Sequence, residues 1–182
     1  MLNEGKTQGV EVPNDVFGEN FKTFLMKEDM DMIISFKEVS ANCVLYYIWH
    51  LQKKLSDARL TERFAFINPA LVSKAGMGET TKENRSRLIA NRLMHAKRAD
   101  YIFIPYNPDF HWVLVALDMR TMTAYYLDPM QKQPCDDLKE IKQRSSKREP
   151  TWVKVVMPSF QSSKSCRSHF DDSHKFSSHE IM

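Results

Sequence analysis

The stretch His111-Trp112-Val113-Leu114-Val115-Ala116-Leu117 constrains this chain more than any other. A strand with one wet face alternates polar and apolar residues. A nearly unbroken apolar run suits a strand buried on both faces. Asp118 to Thr121 then reads as a turn, and Met122 to Leu127 as a second strand, stopped by Asp128-Pro129. A connection this short predicts an antiparallel hairpin. In such a hairpin the start of the first strand lies beside the end of the second. His111 opens the first strand and Asp128 closes the second, so the two are expected to be neighbours although 17 positions apart.

Upstream the texture is helical. Ser40 to Leu55 predicts a helix, capped by Ser40, with Val44, Ile48, Leu51 and Leu55 on one face. Thr80 to Lys97 predicts another, with Leu88, Ile89 and Leu93 turned inward and Lys82, Arg85, Arg87 and Arg92 in water. Short apolar runs at Phe64 to Ile67, Tyr101 to Ile104 and Thr151 to Met157 predict packed segments or strands, whereas Gln131 to Pro150 is polar, a loop or a solvated helix. Residues 1–20 carry Gly5, Gly9, Pro13 and Gly18 among polar residues and read as a flexible tail. Residues 159–182 are serine-rich, show no helical or strand period, and read as a divergent, irregular tail. Residues 21–158 form the domain between them. Helices come first and strands cluster later, which is the order of an α+β fold.

Composition narrows the function classes. A chain of 182 residues supplies one domain with a real core. Net charge is +3, and no basic stripe interleaves with aromatics, so no nucleic-acid partner is expected. No run of eighteen apolar residues exists to span a membrane, and Met1 to Asn20 lacks the apolar stretch of a secretory leader. Cys43, Cys135 and Cys166 are widely spaced, an odd count without CxxC pairs. That speaks against a disulfide framework or structural zinc and for a reducing, intracellular setting, nucleus or cytoplasm. His169, His174 and His179 are spaced by five, which fits no zinc pattern. No metal or cofactor is expected.

A carboxylate beside an imidazole fixes the ring's tautomer and stabilises its cationic form. Such a pair can draw the proton from a thiol, and the thiolate then attacks a carbonyl carbon. His111 and Asp128 are candidates for this pair, and a satisfied histidine at a strand end is the plainer reading of the same residues.

The wording HWVLVALD followed by YYLDPM resembles the core of the Ulp1-like (C48) cysteine peptidases, which process ubiquitin-like proteins. Weaker likeness lies in ANCVLYYIWHLQKKL and FAFINP. The resemblance implies a papain-like fold of the Ulp1 type, a small mixed sheet flanked by helices, incomplete here at the C-terminus. It implies that His111 is the general base, Asp128 its orienting partner, and Trp112 a wall of the tunnel that admits a Gly-Gly tail. It implies a SUMO-like protein or its conjugates as partner. The family's nucleophile follows a strand and a proline, and Cys166 stands eight positions after Pro158. Gln161, five positions before Cys166, is the candidate oxyanion-hole donor; the family places its glutamine six before, where Phe160 stands here. The family's glycine after the nucleophile is replaced by Arg167. The resemblance therefore carries two readings: a peptidase cutting after Gly-Gly, possessed of little activity, or a relic that binds the same partner without cutting. Cys43, beside buried helix positions, and Cys135, in a polar loop, are not candidates for the nucleophile.

Overall fold

The computed structural model describes residues 7–35, 37–74, 81–109, 111–130, 132–145 and 148–155. Gln161 and Cys166, and the irregular tail expected over 159–182, lie outside the described residues.

The chain begins with a small antiparallel sheet. Strand β1 (Gln8–Val12) pairs with β2 (Phe21–Leu25), Val12 opposite Phe21. A single helical turn, α1 (Asn14–Phe17), joins them and stops at Gly18, whose φ of 94° suits glycine. Val10, Val12, Val16 and Phe17 are all buried. The flexible tail expected over 1–20 is thus corrected for residues 8–17. Their apolar side chains pack on partners distant in sequence, Leu45, Ile48 and Phe66, which composition alone cannot show.

Helix α2 (Lys27–Ile34) and helix α3 (Ala41–Asp57) follow. Ser40 caps α3 as expected, its hydroxyl accepting the Cys43 N–H. Strand β3 (Phe64–Phe66), the short α4 (Pro69–Val72) and α5 (Lys82–His95) lead to the hairpin strands: β4 (Tyr101–Tyr106), β5 (Val113–Asp118) and β6 (Thr123–Leu127). Helix α6 (Asp136–Ser145) and β7 (Thr151–Val155) complete the described chain. The main sheet has the order β3-β4-β5-β6-β7, with both outer pairs parallel and the inner pairs antiparallel. This is the mixed, helix-flanked sheet of an α+β fold.

The two faces of the sheet are unequal. Ile102, Ile104, Tyr106, Val115, Leu117, Ala124 and Tyr126 alternate along their strands and are fully buried against Ile89 of α5 and Leu138 and Ile141 of α6. Helix α6 occupies the stretch expected to be a loop or solvated helix; two residues three apart give it one buried edge. On the opposite face α3 covers the sheet in part. Val44, Ile48, Leu51 and Leu55, the stripe legible in the sequence, line an open apolar groove of about 620 Å³ with Phe64, Phe103, Trp112 and Leu127. Leu114 and Ala116 of β5 are accordingly half-buried, not enclosed on both faces as the unbroken run led one to expect.

Arg85 is a third departure. Expected in water, it is buried, because its guanidinium forms a double hydrogen bond with Asp137 of α6, 2.7 Å to each carboxylate oxygen.

Candidate active site

The hairpin sets the register of the site. Tyr106 pairs with Val113, and Leu114 with Leu127. The first strand therefore starts at Val113, and His111 and Trp112 sit just before it instead of opening it. Asp128 follows the last residue of β6, next to the opening of β5, and the hairpin brings the two groups together as the spacing predicts. His111 Nε2 lies 3.5 Å from Asp128 Oδ1. The separation is within ion-pair reach of a protonated ring but is not aligned as a hydrogen bond.

Asp128 is 1% exposed and well supplied with donors. The Met130 N–H donates to Oδ1 at 2.8 Å, the Lys132 N–H to Oδ2 at 3.1 Å, and the Tyr126 hydroxyl to Oδ2 at 3.4 Å. The turn after β6 wraps its own carboxylate, which suits an acceptor-only, charged group. His111 is less enclosed, its side chain 19% exposed. Its other ring nitrogen, Nδ1, lies 3.4 Å from the Asp109 carbonyl oxygen. An imidazolium formed here would find an acceptor on each side.

Trp112 is half-buried. Its indole N–H donates to the Val39 carbonyl at 2.6 Å, tying the segment before β5 to the approach to α3. The ring also lines the apolar groove, beside Leu127 and Pro129.

The other cysteines behave as core residues. Cys43 is buried in the first turn of α3, its thiol within 3.7 Å of the Asp29 carbonyl. Cys135 is half-buried and packs on the main core. Among the described residues no group of histidine, cysteine and acidic side chains is placed to hold a metal, and no helix is long and apolar enough to cross a membrane.

Sequence reasoning missed Tyr126 and Val39. Val39 acts through its backbone and leaves no signal. Tyr126 could have been found, since two positions along a strand return to the same face.

The chain belongs to the Ulp1 protease family: the model of that family's C-terminal catalytic domain matches residues 36–174. No curated protein matches it. Two solved structures of the SUMO protease Ulp1 are similar in fold. One, with its catalytic cysteine oxidised to a sulfenic acid, gives a TM-score of 0.52 at 16% identity, covering 74% of this chain and 64% of that one. Another, oxidised to a sulfonic acid, gives 0.51 at 15%, covering 80% and 69%. The chain thus spans about two thirds of the length of these relatives.

Proposed function

We propose that this chain is a thiol peptidase acting on a SUMO-like protein or its conjugates, cutting after a Gly-Gly end. The observation that carries the reading is the approach of His111 Nε2 to the buried Asp128 carboxylate at the mouth of the hairpin. Asp128 draws the ring proton to Nε2 and leaves Nδ1 as the base. Nδ1 takes the proton of the Cys166 thiol; the thiolate adds to the glycine carbonyl carbon, and the oxyanion is met by the Gln161 amide. Collapse expels the amine, which takes the proton back from His111, and water then hydrolyses the thioester. Support for Cys166 and Gln161 is their position after β7 and the extent of the family match, which runs past both. Trp112 suits a wall against which only glycine passes, since a Cβ would meet the ring. The setting proposed is nucleus or cytoplasm.

A second reading rests on Phe160 and Arg167, which stand where the family has glutamine and glycine. With the oxyanion donor displaced and a bulky cation beside the nucleophile, the chain would bind its partner and cut it slowly or not at all. One experiment separates the two. An electrophilic probe built on the C-terminal glycine of a SUMO-like protein is incubated with wild type, C166A and H111A. Labelling lost in both variants supports the peptidase. Binding of the protein without labelling supports the relic. Labelling that persists in C166A removes Cys166 from the mechanism.

A further inference from the structure

The two oxygens of Asp128 are not equivalent. Oδ2 accepts both the Lys132 N–H and the Tyr126 hydroxyl, whereas Oδ1 accepts the Met130 N–H and faces His111. A carboxylate oxygen offers two lone-pair sites. Among the described residues Oδ2 therefore has two donors, and Oδ1 has one donor beside the approach of His111.

We propose that Tyr126 is a positioning residue: its hydroxyl fills the second acceptor site of Oδ2, so that His111 meets one oxygen of Asp128 in one orientation. The assignment rests on the reading of His111 as the base. Its basis is geometric. Asp128, one residue past the end of β6, continues the strand's alternation of buried positions and so shares a face with Tyr126. Tyr126 is 2% exposed, with its ring in the main core, so it cannot swing aside. If the ring alone mattered, phenylalanine would serve and no buried hydroxyl would need a partner. Burial, then the Asp128 charge, pushes the phenol far above its ordinary range, so it is a neutral donor at any working pH.

The test removes one oxygen atom. Tyr126→Phe keeps the ring, and its melting temperature should stay within a few degrees of wild type. Ring nitrogens of the histidine-labelled full chain are observed by NMR, the His111 signals being those absent in His111→Gln. Wild type should show mainly one neutral tautomer, with the proton on Nε2. In Asp128→Asn and in Tyr126→Phe the share of the second tautomer should rise, in Tyr126→Phe at least about threefold. A Tyr126→Phe spectrum identical to wild type, beside a changed Asp128→Asn spectrum, overturns the proposal. If neither variant changes the spectrum, Asp128 does not orient His111, and both the proposal and the base assignment fall. If both change while wild type never cuts a Gly-Gly probe, the positioning role stands and the peptidase reading alone fails.

Discussion

Arg85 on α5 and Asp137 on α6 are joined by two parallel hydrogen bonds, and the Tyr106 hydroxyl donates to the same carboxylate. The three residues come from α5, β4 and α6, so one carboxylate ties together the helical layer behind the sheet. Burial pushes the Asp137 carboxyl up, but the bonds from Arg85 and Tyr106 outweigh it and hold the group below the usual carboxylate range. Breaking a buried pair by removing one partner leaves a charge uncompensated, at a cost of about 3 kcal/mol or more. Asp137→Ala should therefore lower the melting temperature by roughly 6–12 °C, as calorimetry would show.

The same group sets an acid limb. Its folded pKa lies below its unfolded value of about 3.9, so its stabilisation is complete above that value. It is lost as pH falls through the folded value. Urea midpoints measured between about pH 5 and pH 2 should fall with acidity in wild type and fall less in Asp137→Asn. Equal slopes would show that the latch contributes nothing to acid sensitivity.

Cys43 and Cys166 should separate cleanly under thiol chemistry. Cys43 is buried and faces a main-chain carbonyl, so Cys43→Ala should leave probe labelling intact and cost about 1 kcal/mol of stability. Labelling abolished by Cys43→Ala, with the fold preserved, would move the nucleophile to α3.

Residues 8–17 should prove structural. Deleting residues 1–12 removes Val10 and Val12 from the core, each contributing about 1.5–3 kcal/mol of burial, together with a whole strand pairing. The shortened chain should unfold at markedly lower urea. An unchanged midpoint would mean that the small sheet is not part of the cooperative unit.

The apolar groove beside α3 should bind an environment-sensitive hydrophobic dye. Leu51→Lys, placing a charge in the middle of its lining, should reduce dye fluorescence several-fold while the circular dichroism of the fold persists. Undiminished fluorescence would locate the dye elsewhere, the exposed Phe24 and Ile34 being the next surface to examine.

The hairpin and its His111–Asp128 neighbours were legible because they depend on contacts close in sequence: a short turn, a period of two, and groups at strand ends. The stripe on α3 was legible for the same reason, although what it faces was not. Arg85 was misread because its partner lies 52 positions away, and a periodic pattern gives an arginine no reason to be inside. Val10 and Val12 were missed because two valines among polar neighbours carry almost no signal until α3 and β3 are in place. Tyr126 was passed over because an aromatic inside an apolar strand gives no sign of where its hydroxyl points until Asp128 is in place.

One consequence follows from the last pairing in the sheet. Strand β7 runs parallel to β6, with Val155 opposite Leu127, one residue before Asp128. Val155, the last described residue, thus lies at the end of the sheet that carries His111 and Asp128, on the flank nearest the carboxylate. With antiparallel pairing it would have lain at the far end, a strand's length of about 15 Å away. Val155 therefore stands beside His111 and Asp128, and in the sequence only ten residues separate it from Cys166.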